Sequence, residues 1–374
     1  MDYNLTEKQA EGLKICIDRY KKKEPYTIIS GYAGTGKSYL VNAIVNALGL
    51  EEYQVAYASY TGKAALVLRK QGKNAITLHR LLYDFYHSNG RLIAKPKPFL
   101  NPNLKLVVID EISMCPKFLW DLLMSHHIYV IGLGDPFQLP AIGDDLKLLD
   151  KPHIFLDKIM RQALDNDIIK YSLDLREGKN LYAGIRGKNI RTYKKTEFVP
   201  EMLTWADQIL CGKNTTRRRL NNEMRKCLGK EGLLQDGDKL ICLHNYWDCA
   251  TSTENDVLVN GTIGYVSNIN INDNLKYICA KFSLDEGDTF GSLNMDYQLL
   301  KTGLPSVKKN AFGGIIKKNE KEFDYGYAIT VHKAQGSQFN KVLVYNERLM
   351  DEENHNRWLY TAITRAIDKV VVLL

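Results

Sequence analysis

Hydrophobic and polar positions follow two different rhythms along this chain. Short, fully apolar runs come first: "YTIIS" (26–30), "LKLVVID" (104–110) and "IYVIGLG" (128–134). Such runs suit strands buried on both faces, as in a parallel sheet. Between them Leu40, Val41, Ile44, Val45 and Leu48 recur at helical spacing on one face of "SYLVNAIVNALGL". Buried strands alternating with amphipathic helices predict an α/β fold around a parallel sheet. A second set, "ADQILCG" (206–212), "YGYAITVHKAQG", "KVLVYN" and "KVVVLL", predicts another parallel sheet. Two stretches break the rhythm. In 84–103, Asn89-Gly90 is a two-residue turn signal between "DFYH" and "RLIAK", which predicts a β-hairpin. From about Gln235 to Glu322, "KLICLH", "GTIGYVSNINI" and "LKYICAKFSL" are punctuated by Gly, Asn and Asp, the signature of a small barrel inserted into the second α/β region.

Composition narrows the class without naming it. At 374 residues, 45% of them hydrophobic, the chain can fill more than one core. No apolar run reaches membrane-spanning length, and "MDYNLTEKQAEGL" lacks the layout of a secretory signal, so a cytoplasmic protein with no membrane partner is expected. The seven cysteines are odd in number and contain no C-x-x-C pair, which predicts reduced thiols; Cys242, His244 and Cys249 lack a second ligand pair and read as structural. With 51 basic and 43 acidic side chains, the net charge of +8 permits a polyanionic partner and does not demand one. The basic segment "TRRRLNNEMRKCLG" is expected to be a helix with solvated charges.

The chemistry begins at "SGYAGTGKSYL" (30–40), which fits G-x-x-x-x-G-K-[ST] through Gly31, Gly36, Lys37 and Ser38. A strand precedes it and a helix follows. Loop amides from Gly31 to Ser38, including Ala33, Gly34 and Thr35, with Tyr39 beyond, can wrap phosphates at a helix N-terminus. Lys37 can reach the β- and γ-phosphates of ATP, and Ser38 can ligate Mg²⁺. The strand "LVVI" ends in Asp110 and Glu111: Asp110 is assigned to the metal and Glu111 to the attacking water. The next strand ends in Asp135 and then Gln138, a neutral amide suited to sensing the γ-phosphate.

These stretches, with Glu7-Lys8-Gln9, "YTGKAA", "TLH", "DEISM", "GDPFQLP", "MRQA", "AITVHKAQGSQF" and "LYTAITRA", stand in the order found in superfamily 1 helicases, and the chain resembles the subgroup B, RecD/Dda-like branch. The resemblance runs from about residue 4 to the C-terminus. It implies an α/β chain of two RecA-like motor domains: 1A at 1–83 and 104–155, with a pin hairpin 1B at 84–103, and 2A at 156–234 and 323–374, with an SH3-like insertion 2B at 235–322. By the same resemblance Gln9 reads adenine, Arg161 and Arg365 are arginine fingers, and Gln335 couples the nucleotide state to the grip on DNA. Tyr60, Thr61, Gly62, Lys63, Thr77, His79, Pro140, Thr330, His332, Lys333 and Ser337 correspond to strand-contacting positions, and Tyr86, His87 and Phe99 are candidates for the wedge of the pin.

The resemblance implies ATP-driven translocation on single-stranded DNA in the 5′-to-3′ direction and unwinding at single-strand/duplex junctions. A single-strand-binding protein and replication or recombination proteins are the partners it suggests. An ATPase that displaces proteins without separating strands is the alternative. Two departures stand out. Tyr60-Thr61 replaces a common Pro-Thr, so proline's backbone restraint is absent and Tyr60 either stacks on a base or packs. Ile367 stands where relatives often carry a basic residue. Because Gln9 lies so near the start, a minimal, monomeric motor is expected.

Overall fold

The structure, a computed structural model, describes residues 3–88, 91–139, 146–160, 165–252, 257–284, 288–306, 320–348 and 351–374. The chain divides into two compact units. The first holds Met1–Asp84, Pro96–Lys195 and Ala334–Leu374, the second Phe85–Lys95 and Thr196–Lys333.

The first unit is built on a six-stranded parallel sheet. Its strands are β1 (Tyr26–Gly31), β2 (Val55–Ser59), β3 (Ala75–Thr77), β6 (Leu106–Ile109), β7 (Tyr129–Gly134) and β8 (Ile154–Leu156), in the order β3-β2-β6-β7-β1-β8. Alternation along the strands separates two cores. Ile28, Val107, Ile109 and Val130 face one of them, whereas Ile29, Leu106, Val108 and Ile131 face the other. Both faces are covered, which is why these strands read as unbroken apolar runs. The register pairs Ser30 with Gly134 and Ile109 with Gly132, so the carboxyl ends of β1, β6 and β7 lie together at one edge. In an open α/β sheet ligands gather at that edge.

Helix α1 (Glu7–Lys21) starts at a reciprocal capping box between Thr6 and Gln9, and α2 (Lys37–Ala47) follows β1 directly. A parallel set, β19 (Phe339–Tyr345), β20 (Ala366–Leu373) and β9 (Ile190–Tyr193), also belongs to the first unit.

In the second unit β10 (Gln208–Cys211) pairs in parallel with β18 (Ala328–Thr330). An antiparallel sheet follows the order β16-β15-β14-β11-β17, where β11 is Lys239–Cys242, β14 Ile263–Asn272, β15 Tyr277–Ser283, β16 Thr289–Asp296 and β17 Phe323–Tyr325. Phe282, Phe290 and Phe323 fill its core. The strands β4 (Tyr83–Ser88) and β5 (Arg91–Pro96) form a separate two-stranded sheet, and the Asn89-Gly90 turn lies outside the described residues.

One expectation fails. The helix Asn214–Cys227 does not keep all its charges in solvent: Arg217 and Arg225 are buried. Arg217 meets Asp324 at 2.8 Å and Arg225 meets Asp238 at 3.1 Å. Removing one partner of such a pair would leave an uncompensated buried charge, a loss of about 3 to 5 kcal/mol. All seven cysteines are free thiols, and burial pushes Cys242 up to about 12. No described helix is long and apolar enough to cross a membrane.

Candidate nucleotide site

The turn from β1 to α2 is shaped by its glycines. A Cβ on Gly31 would stand 2.8 Å from the Leu156 carbonyl oxygen, and Gly34 and Gly36 have φ of 77° and 79°. Only glycine adopts that backbone without strain. Gly36 is the N-cap of α2 and supplies no side-chain cap, so the first amides of the helix are left for a ligand. The Lys37 Nζ donates to the carbonyls of Gly31 at 2.7 Å and Tyr32 at 3.1 Å, which folds the ammonium back over the loop. Thr35 braces the turn by donating its hydroxyl to Tyr32 O at 2.8 Å.

Carboxylates arrive from the neighbouring strand ends. Asp110 follows β6, and its Oδ1 accepts from the amide of Glu111 at 3.0 Å. Its carboxyl is pushed up to about 6, chiefly by burial and then by the charge of Glu111, with Lys37 acting in the opposite direction. Glu111 itself has φ of 52°, a left-handed conformation that costs energy for a residue with a side chain. Its Oε1 lies 3.5 Å from Gln138 Nε2 and 3.4 Å from Arg365 Nη1. These long contacts can tighten around a reacting group. Arg365 is buried, with Nε donating to Thr361 O at 3.1 Å, and the Gln335 amide donates to Leu139 O at 2.5 Å. The first unit thus brings Lys37, Asp110, Glu111, Gln138, Gln335 and Arg365 to one edge.

Gln9 is buried beside the loop. Its Nε2 donates to Thr35 O at 3.1 Å while Oε1 accepts from Thr6 N at 3.0 Å, so this amide ties α1 to the phosphate loop. Tyr39 is partly exposed, and its hydroxyl accepts from Asn4 N at 3.1 Å. Arg161 and Pro140 lie outside the described residues.

Tyr360 lies within "LYTAITRA", where the sequence alone gives it no role. Its fully buried hydroxyl accepts from the Ala33 amide at 2.9 Å and donates to Asp135 Oδ2 at 2.5 Å, with Phe137 edge-on to the ring. Burial and the facing carboxylate push the phenol well above its ordinary range, so it stays a donor at every working pH. A tyrosine five residues before the arginine of this motif was the available signal.

Ser38 and Asp110 fit a magnesium ion. Both offer oxygen, and Mg²⁺ takes one or two protein oxygens together with phosphate and water. No cluster of three or more His, Cys, Asp or Glu ligands occurs among the described residues.

The strand-contacting candidates are spread over both units. In the first, the Thr61 hydroxyl accepts from Ala64 N at 3.2 Å and caps α3 (Gly62–Lys70), which begins with Gly62 and Lys63; the Lys63 side chain lies outside the described ones. Thr77 caps the next helix by accepting from Arg80 N at 3.2 Å. His79 is 2% exposed, its ring 5.7 Å from Tyr60 and 6.4 Å from Phe118, and burial lowers its pKa to about 4. His79 is thus packed among the Tyr60, Tyr83 and Phe118 rings, with almost all of its surface covered. Ser337 is buried, with its carbonyl 3.4 Å from Arg365 Nη1. In the second unit Thr330 ends β18, and His332 and Lys333 follow, both half-buried with pKa values lowered by burial. Of the wedge candidates, Tyr86 on β4 and Phe99 beyond β5 are 45% and 85% exposed. His87 is on β4, its side chain outside the described ones.

Comparison with known proteins gives this geometry a context. The AAA domain family matches residues 4–203 and the UvrD-like helicase C-terminal domain matches 325–373. The chain is 28% identical to the ATP-dependent RecD2 DNA helicase of Deinococcus radiodurans, over 91% of this chain and 46% of that protein. It is 32% identical to the ATP-dependent DNA helicase Dda of Enterobacteria phage T4, over 49% of this chain and 46% of that protein. It therefore spans about half the length of these relatives. Its fold resembles the crystal structure of Pif1 helicase from Candida albicans, with a TM-score of 0.52 and 20% identity, covering 99% of this chain and 94% of that one.

Proposed function

This chain belongs to the AAA domain family, in the superfamily 1B branch that resembles RecD2, Dda and Pif1, and we propose that it is an ATP-dependent DNA helicase that steps along single-stranded DNA and separates duplex. The observation that carries the reading is the meeting, at one sheet edge, of the glycine loop with Lys37, of Glu111, and of the two groups at its Oε1, Gln138 and Arg365. A loop for phosphates needs no such company merely to bind. Hydrolysis does: a carboxylate to hold the water, an amide and a guanidinium on the transferred group.

In this reading Lys37 leaves the Gly31 and Tyr32 carbonyls for the phosphates. Glu111 orients the water, Gln138 senses the terminal phosphate, and Arg365 moves from Glu111 toward developing charge. Ser38 and Asp110 would hold Mg²⁺, which would supply neutralisation of phosphate charge. Tyr360 keeps Ala33 and Asp135 at fixed spacing, so the loop and the Gln138 segment respond together. Gln9 and Gln335 serve adenine and coupling, and Arg161 is the second finger. Tyr60, Thr61, Gly62, Lys63 and Ser337 of the first unit, and Thr330, His332 and Lys333 of the second, are the strand-contacting residues in this reading, with Thr77 and His79 supporting those of the first unit. RecA-like 1A and 2A, the pin and the SH3-like 2B are proposed with the sequence boundaries, whereas the compact units group 156–195 and 334–374 with the first unit; the exposed Tyr86 and Phe99 are the wedge side chains to test first. The polarity, 5′ to 3′, rests on the resemblance to the family. A single-strand-binding protein is a fitting partner, and the molecule works as a monomer in the cytoplasm.

The test is strand separation on duplexes carrying a single-stranded tail at either the 5′ or the 3′ end. The reading expects ATP-dependent separation from the 5′ tail only. Turnover stimulated by the strand without separation would favour the protein-displacing translocase instead.

A further inference from the structure

One cation beside the phosphate loop has no task in the account above. Arg176 closes the helix Asp167–Arg176, and its guanidinium carbon lies 3.6 Å from the centroid of the Tyr32 ring. Tyr32 is the second residue of the glycine loop, and its ring stands edge-on to Phe155 of β8, with centroids 5.4 Å apart. The arginine is thus seated on a braced aromatic face, and stacking holds a guanidinium plane in place while its N–H groups stay available.

The other charges nearby are already matched. Asp174 and Glu177 both pair with Lys179, Asp167 accepts from the Lys188 and Asn189 amides, and Arg365 faces Glu111. Arg176 is partly buried and forms no ion pair with any described residue. A half-desolvated guanidinium without a counter-ion is costly to keep unless an anion arrives to meet it. Its position says which anion. The Tyr32 ring packs against Phe155 of β8, but the next residue, Ala33, has its amide held by the Tyr360 phenol, which also donates to Asp135 at the end of β7 and on which the Arg176 charge acts. The β-phosphate, by contrast, belongs to the amides around Gly36 at the start of α2.

We propose that Arg176 is an additional nucleotide-binding residue whose missing counter-ion is the terminal phosphate of a nucleoside triphosphate, with the Tyr32 ring as its platform. The proposal rests on the nucleotide reading of the glycine loop. It predicts selectivity for triphosphate over diphosphate, because the diphosphate lacks the group that Arg176 meets.

Binding of a non-hydrolysable ATP analogue and of ADP is measured by titration calorimetry for the full chain as wild type, Arg176→Gln, Arg176→Lys and Lys37→Ala. Arg176→Gln keeps a long polar stem and loses the charge. It is expected to weaken the ATP analogue about tenfold, with ADP changed less than twofold, and Arg176→Lys to recover part of the loss. Equal weakening of both nucleotides would mean that Arg176 only supports Tyr32, and an unchanged affinity would mean that its charge meets no phosphate; either overturns the proposal. If Arg176→Gln is poorly folded by its melting curve, Tyr32→Leu carries the test, since loss of the platform should reproduce the same selectivity change. Failure of the wild type to bind either nucleotide, with Lys37→Ala no different, would instead refute the reading of the loop itself.

Discussion

Two clusters of polar side chains lie at the carboxyl ends of the same six-stranded sheet, and they are held in opposite ways. Around the glycine loop, contacts join residues far apart in the chain: Tyr360 reaches back 327 residues to Ala33, and Arg365 reaches 254 back to Glu111. Around β2 and β3, contacts are local: Thr61 and Thr77 each bond an amide three residues ahead, and His79 sinks into an aromatic cluster. The first cluster is a mechanism assembled by tertiary structure, whose long bonds at Glu111 leave room to move. The second is a scaffold in which hydroxyls of motif residues are engaged as helix caps before any ligand is present. A motif can therefore mark a contact, or the framework that shapes one.

The largest effect that would sharpen this contrast is at Glu111. Glu111→Gln keeps size and removes the carboxylate proposed to orient the attacking water, and about a hundredfold loss of kcat with nucleotide binding retained is expected from steady-state kinetics and titration. A loss of binding equal to the loss of kcat would make Glu111 structural, like the capping threonines.

Next comes Tyr360→Phe, which deletes one hydroxyl and both of its long-range bonds. About a tenfold fall in kcat is expected, with the KM for ATP little changed and the melting temperature lowered by only a few degrees. A fall in stability with kcat intact would place Tyr360 on the scaffold side.

pH separates the clusters with opposite signs. The Asp110 carboxyl, pushed up to about 6 without metal, would have to be ionised in its proposed metal role, so metal affinity should weaken as pH drops through that value. Without metal its stability contribution runs the other way. The folded state holds that proton more tightly than the unfolded one, so stability declines as pH rises from the ordinary carboxylate range toward about 6. His79 acts in reverse: its pKa is lowered from 6.5 to about 4, so the unfolded state takes up the proton first and stability is lost as pH falls through that window. Melting curves from pH 4 to 7 should flatten in His79→Phe, and an unchanged profile would contradict its burial.

The smallest effect is expected at the caps. Thr77→Val removes the hydroxyl bonded to Arg80 N and should cost about 1 kcal/mol of stability by denaturant titration, with hydrolysis in the absence of DNA unchanged.

Legibility from sequence follows the same division. The strand ends carrying Gly31, Asp110 and Asp135 were readable because apolar runs stop where polar chemistry starts. The capping roles of Thr61 and Thr77 obey local rules, yet their place in strand-contacting motifs drew the reading elsewhere. Tyr360 and Arg176 were hidden because an aromatic or basic residue on an amphipathic helix carries no mark of its distant partner. Buried Arg217 and Arg225 were misread for a related reason: a basic run looks solvated until Asp324 and Asp238, supplied from β17 and from beside β11, meet it. His79 was legible as part of a motif and illegible as a core residue, since its burial depends on Tyr60, Tyr83 and Phe118 closing around it.

The measurement that tests the account most directly is steady-state ATP hydrolysis with and without single-stranded DNA, for the wild type and Lys37→Ala. The account predicts strong stimulation by the strand and a loss of about a thousandfold in the variant, whose loop keeps its glycines but lacks the ammonium over the phosphates. Hydrolysis that is indifferent to DNA, or that survives in Lys37→Ala, would contradict it.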